Sequence, residues 1–360
     1  MVVRRTQAEG MRIALVTEKF YPAVDGTTTT LKAVADRLID TGHSVRIIAP
    51  APGLTTYRGS DVVRVRPLEP VGAQVRAALD DFAPDLVHVT SPGSLGRKAL
   101  KHAQRTGLAS LVVEQSAVLD LTSDYWRAKV AARADRVLVT STWMVDRAAD
   151  FGVEAGLWRP GVDTAAFTPA LRDEWLHSSW SRSRSRDVPL VVVGYVGSLH
   201  KRHGVRRLAT LASLPGIRPV IIGDGPQRGW LEERLPDAKF TGTLSTGDLT
   251  VALPSLDLLV HPGEHETCSH ALREAAASAV PVVAPRSGGA TDVVRNLETG
   301  LLHEPGDAGF LRAVEAVAAD SRRGLLGDRG RELALERSWN DAVDELVSVM
   351  SQVKSSFSPL

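Results

Sequence analysis

Cysteine is nearly missing from this chain of 360 residues; Cys268 stands alone. No internal disulfide is available, which fits a reducing compartment. No apolar run approaches the ~20 residues needed to cross a bilayer. Residues 1–10 are polar and lack the apolar stretch of a signal peptide. They read as a disordered extension, with folding beginning near Met11. Aromatic residues make up only 5%, too few for a base-stacking platform. The formal net charge of +1 gives no field for gathering nucleic acid. The expectation is a cytoplasmic chain with no nucleic-acid partner. Membrane contact is peripheral at most, at the inner face where a partner is a lipid, although no strongly basic amphipathic helix stands out.

What is present is a 43% hydrophobic, 24% charged chain, long enough for two ordinary domains. Arg12–Thr17 reads as a strand, and Thr28–Thr41 as a helix with Leu31, Val34, Ala35 and Leu38 at helical spacing. Further strands are expected at 44–49, 62–65, 86–89, 110–113 and 136–140, with helices between several of them. Such alternation predicts an α/β fold with a doubly wound parallel sheet. Residues 171–188, with the Ser/Arg-rich run from Ser178 to Arg186, are poor in apolar residues and read as a linker. A second alternation follows: strands at 190–195, 219–222, 256–260 and 280–284, a helix at 203–213, and a final strand at 300–303. The expected domains are 11–170 and 189–335, followed by a C-terminal helix in 336–360. Two such halves would enclose a cleft, a common ligand site.

Three loops are expected at carboxyl ends of strands, where open α/β sheets bind ligands: Gly197–Gly204, Gly223–Pro226 and Gly263–His270. Glycine in each permits close backbone approach to a ligand. The third leads into a helix whose free N–H groups suit a phosphate. Glu266 and Glu274 lie eight residues apart there, Glu274 about two turns into the helix. A carboxylate in that position suits a diol such as ribose, since each hydroxyl can donate to it. Other patterns fail. His261-Pro262-Gly263-Glu264-His265 matches a zinc motif that needs a helix, and Pro262 and Gly263 oppose one. Gly223-Asp224-Gly225-Pro226 has the wrong spacing for a dinucleotide turn. His88, at a strand end, reads as a hydrogen-bonded structural histidine.

Several runs in order resemble one family. Met11–His43 (MRIALVTEKFYPAVDG…RLIDTGH), Asp85–Pro92 (DLVHVTSP), Gly161–Pro169 (GVDTAAFTP), Gly223–Pro226 (GDGP), Phe240–Gly242 (FTG), the E-x7-E of Glu266 and Glu274, EAAASAVPVVAPRSGG after it, and Thr299–Asp307 (TGLLHEPGD) are similar to retaining GT-B glycosyltransferases of family GT4. In wording they resemble most the actinobacterial GDP-mannose-dependent α-mannosyltransferases. The resemblance spans roughly residues 11–350. It implies two Rossmann-like domains facing a cleft, an N-terminal one for the acceptor and a C-terminal one for a GDP- or UDP-sugar donor, with the final helix in 336–360 crossing back to the N-terminal domain. It implies a hexosyl transfer with retention onto a hydroxyl of a small molecule, glycan or glycolipid, with neither cofactor nor metal. Carried over residue by residue, Glu274 would meet the ribose and Glu266 the sugar hydroxyls. Thr267, Cys268, Ser269 and His270 would offer backbone N–H groups to the diphosphate and hexose. Gly26 would let its loop approach the phosphates, Gly223 would shape a donor loop, and Gly242 would lie by the base.

The chain departs from the family where the leaving diphosphate is held. The family arginine and lysine after Gly197 become Ser198 and His203. Lys201 and Arg202 are expected to supply the missing charge. Glu114-Gln115-Ser116-Ala117-Val118 replaces a run common in relatives at the acceptor wall, and Cys268 replaces an aromatic. Two other functions stay open: a GT-B protein that binds a nucleotide sugar without turnover, and a sugar-nucleotide epimerase.

Overall fold

Predominantly apolar strands form the centres of two sheets, as buried parallel strands require. The computed structural model describes residues 10–22, 25–183 and 188–356. Residues 1–9 of the expected extension and 184–187 of the charged run lie outside them. The chain divides into two units, Met1–Pro160 with Trp339–Leu360, and Gly161–Ser338. The division after Pro160 precedes the position near residue 170 expected from sequence.

The first unit contains eight strands: β1 Arg12–Thr17, β2 Ser44–Pro50, β3 Thr56–Tyr57, β4 Ser60–Val65, β5 Leu86–Thr90, β6 Ala109–Glu114, β7 Arg136–Val139 and β8 Gly156–Leu157. Their order is β3-β4-β2-β1-β5-β6-β7-β8. All neighbours are parallel except β3 and β4. Successive side chains of β1 enter opposite cores, as the strand period of two demands. Ile13 and Leu15 pack with Leu31, Val34 and Leu38 of the helix Gly26–Asp40, and with Val343, Leu346 and Met350 of the final helix, Trp339–Ser356. Ala14 and Val16 pack with Val75, Leu79, Ala99 and Leu100. The final helix is fastened by Trp158, whose Nε1 donates to the Ala342 carbonyl at 2.7 Å, and by Arg37, which grips Asp344 through two hydrogen bonds at 2.7 and 2.6 Å.

The second unit has six strands: β9 Val191–Val196, β10 Ile217–Ile222, β11 Lys239–Gly242, β12 Leu258–Val260, β13 Val282–Pro285 and β14 Gly300–His303. The order is β11-β10-β9-β12-β13-β14, parallel throughout. Val192, Val220 and Leu259 face Leu272 and Ala275 on one side. Val193, Ile221 and Leu258 face Phe310 and Val314 on the other.

Two expectations are corrected here. Within the stretch read as a linker, Glu174–Ser181 is a helix against β9 and β10. Trp180 is buried, and His177 Nε2 meets the Asp257 carboxylate at 3.0 and 3.1 Å. Trp180, with the partly buried Leu176 beside it, and the His177–Asp257 contact dock a helix that its Ser/Arg-rich composition conceals. The helix expected at 203–213 is instead a 3-10 segment, Val205–Ser213. Its buried residues Val205, Leu208 and Leu211 recur every third position, the 3-10 period. Among the described residues no helix is long and apolar enough to cross a membrane.

Candidate active site

The carboxyl ends of β9, β10 and β11 bring three sequence-predicted glycines into one edge. Gly197 follows β9 and its N–H donates to Ile222 O at 3.0 Å. Gly223 follows β10 and its N–H donates to Gly242 O at 2.9 Å. A Cβ on Gly223 would stand 1.9 Å from the Gly197 carbonyl oxygen, so only glycine lets these loops meet. Leu199 N–H donates to Asp224 O, and Gln227 N–H to Leu199 O, both at 2.9 Å. The Gly197–Leu199 and Gly223–Gln227 loops are thus laced together by backbone. Ser198, where the resemblance leads one to expect an arginine, has no charge to offer; its carbonyl accepts from Tyr195 Oη at 3.1 Å.

The loop after β12 carries Glu266, and the following helix runs from His270 to Ala277. Glu274 is therefore the fifth helical residue, just over one turn in rather than two. The shortening follows from Ser269, the residue before the helix, which sits in the left-handed region at φ 53° and so cannot extend the helix. Ser269 Oγ is buried without a hydrogen-bond partner among the described residues. Cys268 is buried and takes part in no disulfide.

The two glutamates have opposite surroundings. Burial alone would raise Glu266, but His261 and two backbone donors reverse that and hold its carboxyl well below the usual range. Thr267 N–H and Ser269 N–H donate to Oε1 at 3.2 and 3.3 Å. His261 Nε2 stands 3.2 Å from Oε2, in ion-pair range but poorly aligned for a hydrogen bond. Two of the four N–H groups expected at the diphosphate are therefore turned onto Glu266, because a loop carboxylate takes its nearest donors. Glu274 is half-buried, and its carboxylate makes no hydrogen bond or ion pair among the described residues. Burial pushes it up to about 7. Glu274 thus carries an unmet need for hydroxyl donors.

The loop after β9 brings cations to the same corner. Lys201–His203 is a single 3-10 turn with Lys201 and Arg202 exposed and His203 half-buried. His203 senses Glu266, Arg202, His261 and His200 electrostatically. Arg202 Nε donates to His203 Nε2 at 3.2 Å. Beneath them Arg207 clamps Pro262 O, Glu264 and Asp307 at 2.9, 2.7 and 2.9 Å. No sequence signal separated Arg207 or Tyr195 from ordinary surface and core residues, and His261 stood out only through the zinc-motif match that Pro262 and Gly263 oppose. Among the described residues no three His, Cys, Asp or Glu side chains gather as metal ligands would.

Gly26 lies in the other unit. It is the first residue of the helix Gly26–Asp40, behind Asp25, whose Oδ1 accepts from Thr28 N–H at 3.1 Å. That unit also holds groups the sequence only hinted at. His88 is fully buried, contacts Thr90 Oγ1 at 3.1 Å, and is pushed down to about 4 by burial. Glu114 is buried at the end of β6 and accepts from Trp126 Nε1 and Ser116 N–H, both at 3.0 Å. Burial outweighs these donors and pushes it up to about 7.

Comparison with known proteins bears on this arrangement. Residues 24–166 match Glycosyltransferase Family 4, and residues 188–320 match Glycosyl transferases group 1. A GDP-mannose-dependent alpha-mannosyltransferase of Mycolicibacterium smegmatis is 36% identical, over 94% of this chain and 96% of that protein. One of the same description from Corynebacterium glutamicum is 32% identical over 95% and 89%. In structure, sucrose-phosphate synthase from Thermosynechococcus elongatus aligns with a TM-score of 0.81 at 20% identity, covering 96% of this chain and all, 100%, of that one. At that identity the likeness speaks for the fold alone. Two parallel α/β units, the family matches over both, and relatives similar over nearly their whole length lead to one assignment: the chain belongs to the GT4 glycosyltransferases and is a nucleotide-sugar-dependent enzyme of the GT-B fold.

Proposed function

We propose that this enzyme transfers mannose, with retention, from GDP-mannose to a hydroxyl of a small molecule, glycan or glycolipid. The relatives' stated donor supports GDP-mannose. The carrying observation is Glu274, a half-buried carboxylate without a partner among the described residues, on a helix beside the edge built from Gly197, Gly223 and Gly242. A ribose diol satisfies it with two donated hydrogen bonds. Glu266 holds its own loop in shape and leaves His261 and the helix start facing the hexose. The departing diphosphate oxygen takes the acceptor's proton, so positioning and charge stabilisation replace a dedicated base. The cationic side chains of the 201–203 turn carry the leaving group, and turnover then survives EDTA. The enzyme works at the inner face of the membrane where its acceptor is a lipid.

Transfer from labelled GDP-mannose, compared with UDP-glucose, tests the reading. Glu274→Gln should lower kcat/KM for the donor by about 10- to 100-fold, the worth of hydrogen bonds to a charged group. An unaffected Glu274→Gln enzyme would refute the assignment. A second reading, donor binding without turnover, draws on Ser198 and His203. Donor bound tightly, with neither transfer nor hydrolysis, would favour it.

A further inference from the structure

At the two positions where the family resemblance expects permanent cations stand Ser198 and His203, and of these only the imidazole titrates. Ser198 contributes only a carbonyl acceptor to Tyr195. His203 sits at the end of its turn with its backbone carbonyl packed by Gly263. Arg202 Nε donates to His203 Nε2, so this nitrogen carries no proton in the arrangement described. The groups that face His203 are Arg202 and His200 from its own turn, His261 from the end of β12, and Glu266 from the loop beyond it. Burial first, and then the repulsion of Arg202, His261 and His200, hold the imidazole below its ordinary value against the pull of Glu266. In the free protein it is therefore neutral around pH 7.

A diphosphate changes this balance. It brings at least two negative charges to a corner whose exposed permanent cations, among the described residues of the 201–203 turn, are Lys201 and Arg202. Arg202 turns from the imidazole to the phosphate oxygens, which frees Nε2. The anion then offsets the cationic repulsion, and an imidazolium N–H becomes worth more than a bare nitrogen. We propose that nucleotide binding in this enzyme is proton-coupled: the diphosphate is received by Arg202 together with His203, which takes one proton from solvent onto Nε2 as the anion enters. The inference rests on the donor-site reading above and deepens it. It makes His203 a binding residue whose charge is created by its ligand.

The sign of the pH dependence follows. Below the pKa of the free imidazole the cation already exists and binding takes up nothing. Above the pKa in the complex it is neutral in both states. Between the two, affinity falls with rising pH, by up to roughly tenfold per unit. Glu274 works in the other direction, because ribose binding favours its ionised form and releases a proton. At about pH 8 Glu274 is already mostly ionised and the terminal phosphate of GDP, with a second pKa near 6, carries its full charge.

Calorimetric titration of the full-length enzyme with GDP, at about pH 8 in buffers of different ionisation enthalpy, measures the proton directly. The wild type should take up a substantial fraction of one proton. His203→Lys should bind GDP with no uptake and with an affinity flat from neutral to mildly alkaline pH. His203→Gln should bind about tenfold or more weakly, also with no uptake. GDP binding without uptake by the wild type overturns the proposal while leaving the donor site in place, and so does uptake that persists in both variants. GDP and UDP both failing to bind, or binding indifferent to Glu274→Gln, overturns the donor-site reading and this proposal with it.

Discussion

Glu274 shows how function and stability oppose one another within one side chain. Its carboxyl is raised by burial, so the folded protein binds a proton that the unfolded chain releases. The sign is that of a raised acid: stability declines as pH climbs from the ordinary glutamate value to about 7 and stays low above it. Glu274→Gln removes the cost of burying charge. The variant should gain about 1–2 kcal/mol at alkaline pH and little in mild acid, while losing turnover. Thermal unfolding at both pH values checks this; an equal gain at both would disprove the account. Ser269 holds a second reserve, with a left-handed backbone and an orphaned hydroxyl. Ser269→Gly should raise stability by about 1 kcal/mol by relieving that conformation. Chemical denaturation would register it as a higher midpoint at an unchanged slope. The sequence made Glu274 visible only through its spacing from Glu266 and the family resemblance. Its missing partners, and the turning of Thr267 and Ser269 N–H groups onto Glu266, depend on side-chain placement that no pattern encodes.

At the scale of elements, the parallel strands were readable because burial on both faces leaves them predominantly apolar, as in Val191–Val196 and Leu258–Val260. The 205–213 segment was misread because positions three apart satisfy both an α-helix and a 3-10 helix. The helix Glu174–Ser181 was missed because its docking rests on Trp180 and on His177 against Asp257, not on a repeating stripe. The lacing of the β9 and β10 loops yields the sharpest element-level expectation. Gly223→Ala forces a methyl group against the Gly197 carbonyl and should cost about 1–3 kcal/mol. Donor affinity should fall with it, since both loops must move apart. A Gly223→Ala protein with native melting behaviour and native GDP affinity would contradict that packing.

For the molecule as a whole, the two-unit division was foreseeable from the repeated α/β alternation, whereas the return of the last helix to the first unit came from family resemblance alone. That helix supplies Val343, Leu346 and Met350 to the core under β1. Deleting Trp339–Ser356 should therefore unfold the first unit while leaving the second able to bind GDP. Separate unfolding transitions for the two units in the intact and shortened proteins would report this. The same feature governs biosynthesis. Everything between Pro160 and Trp339 must emerge before the first unit can close, a delay of roughly ten to forty seconds at ribosomal speed. During that interval Ile13, Leu15 and Leu31 lack their final covering, so the earliest-made half of the enzyme is the last to finish folding and spends longest within reach of chaperones.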